Sequence, residues 1–150
     1  MKAISLWQPW ATAIAVGLKK YETRSWNAWH RGPVAIHAAK RPVNFNEFYD
    51  CDEPVWAELF LRCPANDMPL GCLVAVANLS AVFQTDPERG IPGFPLLPSE
   101  MALGNYEFGR FAWQLDDVRP LLNPIPWKGS QGFFDIPDEV LLQEVQPSLS

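Results

Sequence analysis

The run from Gly71 to Phe83 (GCLVAVANLSAVF) limits what this chain can fold into more than any other stretch. It is the longest apolar run, led by a glycine and rich in valine, both of which disfavour a helix interior. Its apolar character is nearly unbroken, so both faces need cover. Those properties predict a long, buried strand, bent as strands in small barrels are. Fifteen prolines among 150 residues point the same way. Prolines that frequent break helical bundles and suit short strands joined by turns. With 48% hydrophobic and 19% charged residues the chain can build a real core, and its length suits one domain over 1–150.

Taken in order, Ala3 to Leu6 reads as a strand. Asn27 to Gly32 reads as a turn, and Pro33 to Ala39 as a second apolar strand with His37 opposite in direction to Ile36. Asn44 is placed to cap a helix from Phe45 into Tyr49. Trp56, Leu59 and Phe60 share one face of a helix over Pro54 to Leu61 and are expected in the core. Pro64 to Leu70 is a loop. Gln84 to Pro98, with four prolines and two glycines, predicts a long surface loop, a lid or a tolerated insertion. A short helix starts at Ser99, a strand spans Phe108 to Leu115, Pro120 to Pro126 is extended, and a last strand covers Gly132 to Ile136 before a helical turn from Pro137. The fold class expected is α+β, a small barrel of five to six mixed strands with short helices around it.

The stretch Gln8 to Trp26 carries the densest chemistry. Pro9 suits a first helical turn. Trp10, Ala11, Ala13, Ile14 and Val16 give a short apolar helix, and Gly17 a left-handed stop. Beyond it strand alternation sets Lys20, Glu22, Arg24 and Trp26 on one face. Tyr21, Thr23 and Ser25 take the other, with Lys19 on that face or still in the turn. Charges that merely face water are the ordinary reading of each residue alone. Lys, Glu and Arg at alternate positions beside tryptophan suit the wall of a pocket for a flat polar ligand.

Net charge is −5, which weighs against a strong non-specific duplex binder. Cations nonetheless gather in the N-terminal third (Lys19, Lys20, Arg24, Arg31, Lys40, Arg41), which fits a small nucleotide-like ligand. Three widely spaced cysteines and two histidines show no metal-ligand spacing. No cofactor or metal is expected, no run reaches membrane-spanning length, and cytoplasm is the expected location.

Ser5-Leu6-Trp7-Gln8-Pro9-Trp10-Ala11, Gly17 through Trp26, His30-Arg31-Gly32 and Ile36 through Lys40 together resemble the ASCH family, which is similar to the PUA fold. The likeness continues through Gly71–Val74, Trp113–Leu115, Pro124–Gly129 and Phe134–Pro137, nearly the whole chain. The resemblance implies a PUA-like barrel with a cleft beside the Gln-Pro-Trp helix and the Lys-x-x-Glu-x-Arg strand. It also implies RNA, coactivators or nucleosides as partners. Some small bacterial members remove an acyl group from the N4 amine of cytidine. There the lysine matching Lys19 serves as base, a threonine stands where this chain has Glu22, and a further glutamate follows the long strand. Glu100 and Glu107 are the candidates for that third position.

Amide cleavage needs an activated nucleophile, a donor to the oxyanion and an acid for the leaving amine. A desolvated Lys19 or Lys20 would act as base. Glu22 would activate water or orient the lysine, and Thr23 would offer a hydroxyl one residue from the family's position. Trp10 and Trp26 are candidates to stack a pyrimidine, worth about 1–3 kcal/mol per base. Gln8 and Arg24 would read the base edge or hold the carbonyl. The catalytic candidates are thus Lys19, Glu22, Thr23 and Glu100. The substrate-binding candidates are Gln8, Pro9, Trp10, Arg24, Trp26, His37, Lys40 and Lys128. The alternatives are an RNA or single-strand binding module, with or without ribonuclease activity, and a protein-interaction module with an exposed apolar patch.

Overall fold

The computed structural model describes residues 1–48, 51, 53–142 and 144. Its elements are β1 (Lys2–Leu6), α1 (Trp10–Ala15), β2 (Tyr21–Arg24), β3 (Gly32–Ala38), α2 (Pro54–Arg62), β4 (Cys72–Gln84), α3 (Pro98–Ala102), β5 (Phe111–Pro126), β6 (Phe134–Asp135) and α4 (Asp138–Leu141). Single 3-10 turns occupy Phe45–Glu47 and Ala65–Asp67. Asn44 caps the first of these turns, accepting from the Asn46 amide, and the Tyr49 end of the expected helix lies outside the described residues. No helix among the described residues is long and apolar enough to cross a membrane.

The strands form one mixed sheet in the order β2-β5-β4-β3-β1-β6. Only β1 and β3 run parallel, with Ile4 opposite Ile36. A parallel pair needs a crossover, and α1 and β2 lie between the two strands in the chain. The apolar run of β4 sits mid-sheet, flanked by β3 and β5. Register shifts interrupt its ladders at Ile36/His37, Leu73/Ala75, Val76/Asn78 and Leu79/Ala81. Each such bulge adds bend and twist, and together they curl the sheet.

The curl brings distant strands together. Three strands separate β2 from β1 in the ladder, yet Arg24 on β2 donates through Nη2 to the Ser5 carbonyl of β1 at 2.8 Å. The sheet is therefore barrel-like, with a seam between β1 and β2 that side chains bridge and no ladder closes. Inside lie Ile4, Leu6, Val34, Ile36, Leu79, Leu115 and the fully buried Trp113. Alanines 11, 38, 75 and 77 in the same cluster let α1 seat closely against the strands.

Two strand readings are corrected. The expected strands Phe108–Leu115 and Pro120–Pro126 merge into one sixteen-residue strand, β5, which starts at Phe111 and leaves residues 108–110 outside it. Pro120 and Pro126 are tolerated because that strand is irregular, with Asp117 at φ 50 and a shifting register against β4. The last strand shrinks to Phe134–Asp135, paired with Lys2 and Ala3 at the sheet edge. The loop after β4 is surface chain pinned from below, since Ile91 is fully buried with Tyr21 and Tyr106.

Candidate functional site

Gly17 determines where the first functional group goes. At φ 85, a conformation glycine adopts without strain, it ends α1 and turns the chain back. The amides of Leu18 and Lys19 then both donate to the Ala13 carbonyl at 3.0 Å. This tight turn sends the Lys19 side chain inward. Its ammonium donates to the Leu103 carbonyl at 2.7 Å, at the C-terminal end of α3, where a helix favours a cation. Lys19 also stands 3.6 Å from Glu22 Oε1, and its side chain has no exposed surface.

Glu22 links this buried cation to a second one. Its other oxygen, Oε2, accepts from Arg24 Nε at 3.0 Å. Arg24 lies 5.8 Å from the Trp113 ring centre and bridges the seam to Ser5. Burial drives Lys19 below the ordinary lysine range, and the nearby carboxylates of Glu22 and Glu100 only partly oppose it. Burial likewise pushes Glu100 above the usual carboxylate range, against Lys19 and the Lys20 amide. Glu100 Oε1 accepts that amide at 2.9 Å, while Oε2 is buried without a partner. The Tyr106 hydroxyl is buried and unpartnered too. Burial raises its pKa, and the charge of Glu100 adds to the shift.

Two cavities open along the seam, of about 740 and 760 Å³. Ser5, Trp7 and Arg24 line both, so they are lobes of one cleft. Lobe one holds Lys19, Glu22 and Thr23, with Trp10, Asn105 and Arg110 among its walls. Lys19 forms its floor beneath Glu22. Lobe two holds Trp26, His37, Lys40, Trp127 and Lys128, and its far wall is the loop Gly129 to Gly132. Among the described residues no cluster of His, Cys, Asp and Glu could hold a metal ion.

The family model for the ASCH domain matches residues 4–107. The chain belongs to the ASCH-domain family. The ASCH protein of Zymomonas mobilis is similar in architecture, at 18% identity over 97% of this chain and 96% of that one, with a TM-score of 0.58. A Tyr-to-Phe variant of it matches at 20% identity, covering 97% and 98% of the two chains, with the same TM-score. A comparison with curated proteins finds no match.

Within this ASCH domain the sequence-derived candidates separate into three groups. Lys19, Glu22, Thr23 and Trp10 gather in lobe one, and Trp26, His37, Lys40 and Lys128 in lobe two, with Arg24 shared. Trp10 and Trp26 therefore do not sandwich one base. Trp10 packs on Phe48 and Trp56, whereas Trp26 packs on Trp113 and Phe133. Gln8 and Pro9 are buried and line neither lobe. Both ends of the Gln8 amide are occupied: Oε1 accepts from Thr12 N at 3.0 Å and Nε2 donates to Pro69 O at 2.9 Å. Gln8 thus braces the start of α1, and no base edge reaches it.

Glu100 sits behind Lys19 and outside the lining of lobe one, and Glu107 is exposed. Alternation turned Thr23 away from Glu22, yet both line lobe one; the Thr23 hydroxyl there accepts from Asn105 N at 2.9 Å. Lys19, assigned to the Thr23 face or the turn, occupies the turn and reaches Glu22. Ser5, Trp7, Asn105 and Arg110 were absent from the candidate set. The Ser5-Leu6-Trp7 segment was a usable signal; the Gly104–Arg110 loop offered none, because it joins β2 only in three dimensions.

His37 braces lobe two. Its Nε2 faces the Trp127 carbonyl at 2.7 Å and must carry the proton, since a carbonyl only accepts. In the neutral ring Nδ1 then accepts from Ser5 Oγ at 2.9 Å. Gly129 lies so close that a Cβ there would stand 2.6 Å from His37 Cε1.

Proposed function

We propose that lobe one hydrolyses the acyl amide on N4 of acylated cytidine-type nucleosides. One observation supports this reading above the others. A fully buried lysine, pushed toward its neutral form, contacts a carboxylate that faces a cleft of about 740 Å³, roomy enough for an acylated nucleoside. An ion pair kept only for stability gains nothing from such a cavity, and desolvation offsets most of its attraction.

In this mechanism the pyrimidine lies against Trp10 with its acyl carbonyl toward Arg24. Arg24 Nη1, which has no hydrogen-bond partner among the described residues, donates to the developing oxyanion. Glu22 takes a proton from water as the water oxygen attacks the carbonyl carbon. The C–N4 bond then breaks, and the proton passes from Glu22 to the departing amine. Lys19, under Glu22 and pushed toward its neutral form, holds that one proton between the two steps: it takes it from Glu22 after attack and returns it before the C–N4 bond breaks, so Glu22 ends each turnover as a carboxylate.

The test is incubation of the purified protein with N4-acetylcytidine, followed by the absorbance change on deacylation. Turnover that falls in both Lys19→Ala and Glu22→Ala, with both variants folded, supports the proposal. No turnover of any acylated nucleoside, together with micromolar RNA binding, moves the reading to a nucleic-acid-binding module.

A further inference from the structure

We infer that lobe two is a phosphate subsite, so that the substrate carries a phosphate next to the ribose of its cytidine. This rests on the reading of lobe one and extends it across Arg24. In a chain of net charge −5, the lining of lobe two among the described residues contains Arg24, Lys40 and Lys128 and no aspartate or glutamate. Acidic residues are the commoner charged type in this chain, so their absence from the described lining beside two lysines, with Arg24 already paired to Glu22, marks a site for an anion.

The two lysines are also uncommitted. Every other cation of the cleft has an internal acceptor: Lys19 has Leu103 and Glu22, Arg24 has Glu22 and Ser5, and Arg110 has Asn105 and Thr23. Lys40 and Lys128 make no hydrogen bond or ion pair among the described residues. Yet Lys40 is not a freely sweeping side chain. Its stem lies against Gly71, where an added Cβ would come within 3.0 Å of Lys40 Cγ. Gly71 sits at φ 64, so a glycine with no side chain lets the Lys40 stem pass.

The opposite wall is the loop Lys128 to Gly132, held at its root by the His37 bond to Trp127 and by the Trp127 amide on Gly71 at 3.1 Å. The backbone amides of residues 128–132 donate to no group among the described residues. Three residues of this loop, Gly129, Ser130 and Gly132, carry little or no side chain to cover the wall they line. Unused amides with flanking ammonium groups are what a phosphate oxygen needs. The phosphate of a mononucleotide and that of an oligonucleotide share this chemistry.

The experiment measures binding without any acyl chemistry, so it stands or falls independently of the hydrolase reading. Cytidine, cytidine 5′-monophosphate and a short cytidine-containing oligoribonucleotide are titrated into the protein by calorimetry at low salt. The monophosphate is expected to bind about tenfold tighter than cytidine. A Lys40→Met/Lys128→Met variant with an unchanged melting curve is expected to bring that ratio close to one. An oligonucleotide tighter than the monophosphate assigns the subsite to a phosphodiester, and the reverse assigns it to a mononucleotide. Equal binding of cytidine and its monophosphate, no binding of the monophosphate, or a preference that survives in the double variant overturns the inference.

Discussion

Replacing Lys19 by methionine separates its chemical role from its structural one. The side chain keeps its length and loses its charge in a position with no exposed surface. The 2.7 Å hydrogen bond to Leu103 O disappears; a bond from a charged donor is worth about 1.5–3 kcal/mol. The 3.6 Å attraction to Glu22 goes as well. Against these losses, holding an ammonium out of water costs several kcal/mol, and methionine avoids that cost. Glu22 keeps Arg24 as a partner at 3.0 Å and is not left an unpaired buried charge, so the opposing effects nearly cancel, leaving a net change within about 2 kcal/mol of zero. Turnover has no such compensation, because a lost proton-transfer partner lowers rates by about 10²–10⁴-fold. Urea denaturation and N4-acetylcytidine deacylation, run on the same preparations, read the two effects. Lys19→Arg is the control: its guanidinium stays charged at all working pH values, so it too is expected to lack turnover. A folded Lys19→Met protein that keeps most of the wild-type rate refutes the reasoning, and so does a destabilisation above about 4 kcal/mol, the sign of an indispensable buried pair.

Two further outcomes are expected. Burial holds Glu100 above its ordinary 4.5, so the folded protein retains a proton that the unfolded chain releases. The stability this confers is complete below 4.5 and is lost as pH rises through the folded value. Glu100→Gln is therefore expected to flatten the fall of unfolding free energy above that pH, and parallel falls in both proteins would count against it. Gln8→Ala leaves the Thr12 amide and the Pro69 carbonyl without partners inside the fold. It is expected to cost about 2–6 kcal/mol by urea denaturation, since each of the two stranded groups costs about 1–3 kcal/mol; a loss under 1 kcal/mol, about the worth of one replaceable hydrogen bond, would contradict a bracing role.

Much of the fold was readable because its signals are local. The apolar run that became β4, the glycine stop after α1 and the Asn44 cap each depend on a few neighbouring residues. β5 was read in two pieces because Pro120 resembles a break. Its tolerance comes from irregular pairing with β4, which no local pattern reveals. At the site, alternation correctly put Glu22 and Arg24 on one face. It left Lys19 open between the Thr23 face and the turn, because the turn after Gly17 ends only where the chain resumes strand geometry. Trp10 and Trp26 looked like partners because both flank the same short segment. Curling of the sheet sends them to different lobes, and the same curling brings Leu103, Asn105 and Arg110 to residues some eighty positions earlier. Gln8 belongs to its motif for a structural reason: it braces the first turn of α1 and ties it to Pro69.

The claim under all of this is that burial keeps the Lys19 amine poised to exchange protons with Glu22. Titration of ¹³Cε-labelled lysine by NMR, with the Lys19 signal assigned by its absence from Lys19→Met, measures it directly. The account predicts a midpoint clearly below the ordinary 10.5. A midpoint at or above 10.5 would mean that Glu22 and Glu100 outweigh burial, leaving Lys19 a fixed cation with no part in proton transfer.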